Sequence, residues 1–214
     1  MTSLQELLDR PDVADHLRGI AAAPAKFGAY AGLRLAAPDG PEAALAQWAE
    51  GEARRYGETV EQAGAAASRL ADLRAALARR GLAGFIVPMT DEYFGEYLPR
   101  RAQRLTWLTG FTGSAGTAIV LADRAAVWSD GRYTLQLRDQ VDTALFSLHH
   151  ISDEPPTAWA REHLKRGDKF GYDPRLHTVD GVAQLKAACD AVGALLVPVE
   201  TNPLEAVWTD QPPP

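Results

Sequence analysis

The sequence has a single cysteine, Cys189, in 214 residues. No disulfide framework or thiolate metal site can therefore form within one chain. Cys189 sits in an amphipathic helical pattern and reads as a small buried residue. Long hydrophobic runs are missing too: no window approaches the ~18 consecutive apolar residues of a membrane-crossing helix. The opening stretch MTSLQELLDRPDVADHL carries acids and no apolar segment of the signal-peptide kind. A cytoplasmic protein with no membrane partner is the expectation. Clustered cations are also lacking. The 22 Lys and Arg are scattered among 28 Asp and Glu, giving a net charge of -6. Binding to a nucleic acid through counterion release needs such clusters, so no nucleic-acid partner is expected.

The familiar catalytic patterns are absent as well. The stretch LTGFTGSAGTAIV, Leu108–Val120, places Gly110, Gly113 and Gly116 at every third position ahead of an apolar run. A phosphate-binding P-loop requires Lys-Ser/Thr after its last glycine, and here Thr117-Ala118 follows Gly116. A dinucleotide fingerprint must lead into a helix, whereas this one leads into a strand pattern. A nucleophile elbow needs glycine two residues before its serine, and two before Ser114 stands Thr112. Ser114 therefore reads as a turn residue, and the glycines as positions where the backbone turns or closely approaches another surface.

No His-Glu-x-x-His pattern exists. His149 and His150 are adjacent in an expected strand and so point to opposite faces. His163 and His177 stand alone, and Asp12 with His16 at i, i+4 supplies only two ligands. No metal ligand and no catalytic residue is assigned within this chain. Asp153-Glu154 before Pro155-Pro156 reads as a loop.

What is present is an α/β rhythm. From Leu82 onward short apolar runs alternate with helical patterns, predicting strands over Ala83–Met89, Thr117–Leu121, Ala125–Ser129, Ala144–Ile151, Lys169–Tyr172 and Ala194–Val199. Three residues separate the second and third, so those two form an antiparallel hairpin and the sheet is mixed. Helices are expected over Ser68–Arg80 (closed by Gly81), Arg132–Val141, Thr157–Leu164 and Thr178–Val192. Residues 1–60 are Ala-rich and helical in pattern, with a helix start at Asp39, Pro41 and Glu42 leading into Leu45, Trp48, Ala49 and Tyr56. Gln211-Pro-Pro-Pro214 reads as the start of a linker. The domain reading is a helical extension over 1–60, an α/β domain over 61–209 and a proline-rich linker over 210–214.

One polar group stands out. In Trp128-Ser-Asp-Gly-Arg-Tyr133 a strand ends and a helix starts, so Asp130 can cap while Arg132 projects from the strand's exit edge. An arginine there opposes the helix dipole and must be held by an acid or kept for a ligand carboxylate. The residues alone favour a structural Asp130–Arg132 arrangement.

Taken together, five stretches resemble a family. They are Asp91–Tyr97 (DEYFGEY), Arg104–Gly116 (RLTWLTGFTGSAG), Val127–Tyr133 (VWSDGRY), Phe170–Pro174 (FGYDP) and Asn202–Asp210 (NPLEAVWTD). Their order, over roughly residues 66–212, resembles the first domain of the long, three-domain Xaa-Pro aminopeptidases (aminopeptidase P). The resemblance implies a creatinase/prolidase N-terminal fold, a mixed sheet flanked by helices. It also implies that the chemistry belongs to a separate C-terminal pita-bread domain. There two Asp, one His and two Glu hold two divalent metal ions, usually manganese, that activate water against the bond before proline. No such ligand set has a counterpart here, so the chain alone is expected to be inactive and to hold no cofactor.

By the same resemblance Arg132 reaches toward the Xaa-Pro peptide substrate, the domain takes part in homodimer contacts, and the glycine-rich stretch is structural. Residues 1–60 depart from the family pattern. The leading expectation is a substrate-gating and dimerising domain, as a fragment or a truncated product. Its rivals are a free-standing interaction module that has lost its peptidase, and a hydrolase using Ser114.

Overall fold

The computed structural model describes residues 65–213 and Pro11. The expected helix start at Asp39 and the Asp12–His16 pair lie outside them. The chain divides into two compact units, Met1–Gln62 and Ala63–Pro214. The second unit holds helix α1 over residues 65–79, then β1 (Gly84–Pro88), α2 (Arg104–Thr109), β2 (Thr117–Leu121) and β3 (Ala125–Ser129). These are followed by α3 (Thr134–Gln140), β4 (Ser147–His150), α4 (Pro156–His163), β5 (Lys169–Tyr172), α5 (Val179–Val192) and β6 (Leu195–Pro198).

The six strands form one mixed sheet in the order β4-β3-β2-β1-β5-β6. β1, β2 and β3 pair antiparallel as a meander, and β4, β5 and β6 attach in parallel. A strand covered on both faces reads as a continuous apolar run, because alternate side chains serve different cores. On one face Phe85, Val87, Val120 and Val127 pack with Leu70, Leu73 and Leu77 of α1 and with Leu105 and Leu108 of α2. On the other, Ile86, Ile119 and Trp128 pack with Trp159 of α4 and with Leu185 and Cys189 of α5. Each such side chain contributes about 1.5–3 kcal/mol on leaving water, so the two cores hold the three-layer α/β architecture that the strand pattern predicts.

Helix ends follow local chemistry. Thr178 accepts a hydrogen bond from Gly181 N at the start of α5, and Gly193 closes it with φ 73°. Pro156 occupies the first turn of α4, where its missing N–H costs nothing.

Three expectations need correction. The strand expected over Ala144–Ile151 begins only at Ser147. Asp142 accepts Ala144 N on its side chain and Leu145 N and Phe146 N on its carbonyl, which turns the chain before the strand can start. The helix expected from Arg132 begins at Thr134, after a tight 3-10 turn over Gly131–Tyr133. The short helix α2, ended by Gly110 at φ 81°, was not expected at all.

Candidate functional site

The topology gathers the motifs at one edge. β1, β3, β4, β5 and β6 end there, and antiparallel β2 begins there, as the pairs Pro88–Thr117, Thr117–Trp128, Ser129–His150 and Tyr172–Pro198 record. The 91–97 loop follows β1, the glycine-rich turn precedes β2, Asp130–Tyr133 follows β3 and Asp173 follows β5. In open α/β sheets the crevice outside the carboxyl ends of the strands is where ligands bind.

Arg132 projects from this edge with 67% of its side chain exposed. The Asp130 carboxylate accepts from Arg132 Nε at 3.1 Å, from Nη2 at 2.8 Å and from its backbone N at 3.0 Å. Those bonds, the side-chain ones foremost, hold the Asp130 carboxyl below its ordinary range, and the carboxylate raises the guanidinium in return. Arg132 Nη1 has no hydrogen-bond partner among the described residues. The guanidinium also lies 5.2 Å from the centre of the Tyr133 ring. The arginine is thus both structural and open: one edge caps the turn and the other can take an acceptor.

Tyr133 ties this turn to the glycine-rich stretch. Its hydroxyl is 2.7 Å from Ser114 Oγ, a hydrogen bond that lowers its pKa below the ordinary tyrosine value. Its ring meets Phe111 edge-on at 5.9 Å. Ser114 is therefore partnered by a tyrosine. The four described histidines bond elsewhere: His149 to Glu154 and Ser147, His150 to Ser152 N, His163 to Arg124, and His177 to the Asp173 carbonyl. Among the described residues no serine–histidine pair exists to activate Ser114.

Gly116 explains the spacing. A Cβ there would lie 2.9 Å from the Trp128 carbonyl oxygen and 3.1 Å from Leu105, because the turn crosses directly beneath the end of β3. Gly116→Ala is expected to cost about 1–3 kcal/mol by forcing backbone apart. Urea denaturation checks it, and an unchanged midpoint would show that the turn tolerates a side chain.

As the sequence predicts, His149 and His150 face apart. His149 stacks on Trp128 at 5.1 Å and pairs through Nδ1 with Glu154 at 2.6 Å. Among the described residues no group of three or more His, Cys, Asp or Glu could hold a metal ion. That donor set does not fit a dinuclear centre, and no metal step is assigned to it.

Sequence reasoning missed a buried ion cluster at the same edge. Arg104, 1% exposed, donates from Nη2 to Glu92 at 2.6 Å and to Glu205 at 2.5 Å, and from Nε to Glu205 at 2.9 Å. Its Nη1 is buried without a partner. Beside it, buried Asp173 accepts from Arg175 Nε and Nη2 and from Asn202 Nδ2. Burial pushes the Asp173 carboxyl up, but the Arg175 and Asn202 hydrogen bonds prevail and leave it below its ordinary range. Trp208 stacks on Trp107 at 5.2 Å, so the 202–210 motif is fastened to α2 by charge and by aromatic contact. The only signal in the sequence was that every member of the cluster except Arg175 lies within a motif stretch.

Residues 69–206 match the family model of the creatinase/prolidase N-terminal domain. The chain is 36% identical over 146 residues to human Xaa-Pro aminopeptidase 2, covering 68% of this chain and 22% of that protein. It is 37% identical over 150 residues to a probable Xaa-Pro aminopeptidase P of Podospora anserina, with 69% and 22% covered. Among solved structures, the X-prolyl aminopeptidase of Caenorhabditis elegans, described as a cytosolic enzyme with a di-nuclear active site, matches with a TM-score of 0.63. There the identity is 30%, and the match covers 69% of this chain and 26% of that one. The matched part thus spans about a fifth of the length of the curated relatives. With the mixed sheet, the clustered motifs and these relatives in agreement, the chain belongs to the creatinase/prolidase N-terminal domain family, in the form carried by Xaa-Pro aminopeptidase-like proteins.

Proposed function

We propose that this chain supplies the non-catalytic N-terminal domain of an Xaa-Pro aminopeptidase, one that gates peptide substrate and contributes to a homodimer in the cytoplasm. Residues 61–209 are the working domain and 210–214 a linker. The two metal ions, manganese by the family's habit, are held by residues outside this chain. The observation that carries the reading is Arg132. It is anchored by Asp130 on one edge and open at Nη1 on the other, on the sheet edge where the motif stretches gather. An anchored guanidinium can orient a carbonyl or carboxylate of a passing peptide without itself taking part in bond cleavage.

The test is hydrolysis of an Arg-Pro-Pro peptide with Mn²⁺ by the purified chain, alone and mixed with a separately expressed catalytic domain. No turnover is expected alone, and turnover or enhancement in the mixture. There Arg132→Ala should lower kcat/KM by roughly tenfold or more, the worth of one charge-assisted hydrogen bond. Turnover by the chain alone, or an Arg132 variant as active as the parent, would sink the proposal.

A second reading has its own observation. Asp91 accepts Tyr93 N and Gly95 N and fixes a loop that presents Tyr93 and Tyr97 at 89% and 86% exposure. Phe94 there adopts φ 54°, a conformation that non-glycine residues rarely hold. Exposed, preorganised aromatics suit a free-standing binding module, and a mixture no more active than the catalytic domain alone would favour it.

A further inference from the structure

β3 and β4 end side by side at Ser129 and His150, and beyond them lies a cavity of about 130 Å³. Several polar groups around it are already engaged. Ser129 Oγ donates to the Ala115 carbonyl, Asp130 holds Arg132, and His149 is occupied by Glu154 and Ser147. Three others are free. Thr134 and Arg138, four residues apart on one face of α3, and His150 Nε2 all line the cavity or its rim without a hydrogen-bond partner among the described residues. Leu137 and Leu148 supply an apolar wall. Because the Asp130 charge is matched by Arg132, Arg138 leaves the recess with an unmatched positive charge.

A free guanidinium presents a planar fork suited to a carboxylate, and a threonine hydroxyl and an imidazole nitrogen can each add a hydrogen bond. The recess, open to solvent on one side, admits a small carboxylate. A phosphate dianion fits less well, since a single unmatched cation faces it and the Asp130 carboxylate stands nearby. We propose that Arg138, with Thr134 and His150, forms a subsite for a small carboxylate, either the free carboxyl end of a short peptide or a small organic acid. The peptide source rests on the function proposed above; the carboxylate recognition does not.

The experiment titrates the purified chain with Ala-Pro-Ala, its C-terminal amide, succinate and inorganic phosphate. It follows backbone amide shifts of residues 129–138 and 147–151. Expected are shifts with at least one carboxylate, weakened tenfold or more by Arg138→Gln. Arg124→Gln, in the turn at the other end of the β2–β3 hairpin, should leave binding within twofold. Arg138 is exposed on α3, so its variant should keep the parent's melting curve. Binding of the peptide acid with a tenfold weaker amide supports the subsite and names a peptide end. Binding of succinate alone supports the subsite and names an organic acid, leaving the Arg132 assay to judge the peptidase reading separately. No response to any carboxylate, an Arg138 variant that binds like the parent, or phosphate binding more tightly than every carboxylate overturns the proposal.

Discussion

Arg104→Met should destabilise the domain by about 3–5 kcal/mol, the usual cost of removing one partner from a buried ion cluster. The arginine is 1% exposed and, among the described residues, is the only ion partner of Glu92, while it shares Glu205 with Arg175 at 4.0 Å. Deleting the guanidinium leaves two carboxylates, 32% and 25% exposed, facing each other across an apolar side chain. The loss comes from that uncompensated charge more than from the absent attraction. A distinguishing consequence follows: the triple change Arg104→Met, Glu92→Gln, Glu205→Gln should recover a substantial part of the stability, because neutral amides no longer require a cation. Urea denaturation of the single and triple variants gives the answer. A single variant within 1 kcal/mol of the parent would mean that the cluster is solvated and contributes little. A triple variant no better than the single would assign the loss to packing of the arginine stem.

This cluster also marks where the sequence ceased to be readable. Glu92 lies 12 residues from Arg104 and Glu205 lies 101 away, and no periodicity says that an arginine between Gln103 and Leu105 turns inward. The central strands were readable because β1, β2 and β3 are covered on both faces and carry unbroken apolar runs. Asp130 and Arg132 were readable because Asp-Gly after a strand is turn chemistry with a side-chain acceptor in place. Helix α2 was hidden by its length: six residues, two of them threonine, are too few to show a helical period. The start of β4 was misread because Ala144 and Leu145 look like strand residues, and only the Asp142 hydrogen bonds reveal the turn. The Arg138 recess was unreadable for a different reason. Thr134 and Arg138 look like any solvated helix face until His150 is known to stand across from them.

Trp128→Ala should be of the same size, about 3–5 kcal/mol for a large aromatic truncated in a core that cannot fully collapse. For a domain of roughly 150 residues that is a fall of roughly 6–20 °C in melting temperature. The indole is fully buried, and its position joins the second core to the candidate site. One edge meets Trp159 of α4 at 5.5 Å, the face stacks on His149 of β4, and the N–H donates to the Glu154 carbonyl at 2.7 Å. Removing it therefore opens a cavity and frees the 152–155 turn that, through Glu154, holds His149. The change should act on the site as well as on stability: the amide signals of residues 147–151 should broaden or shift in the folded variant. Trp128→Phe separates the two contributions, since it keeps most of the ring volume and loses the N–H bond, whose net worth is about 0.5–1.5 kcal/mol. If the alanine variant loses less than 1 kcal/mol and leaves those signals in place, the end of β4 is held by its ladder to β3 alone, and the indole would be filling rather than organising that end of the sheet.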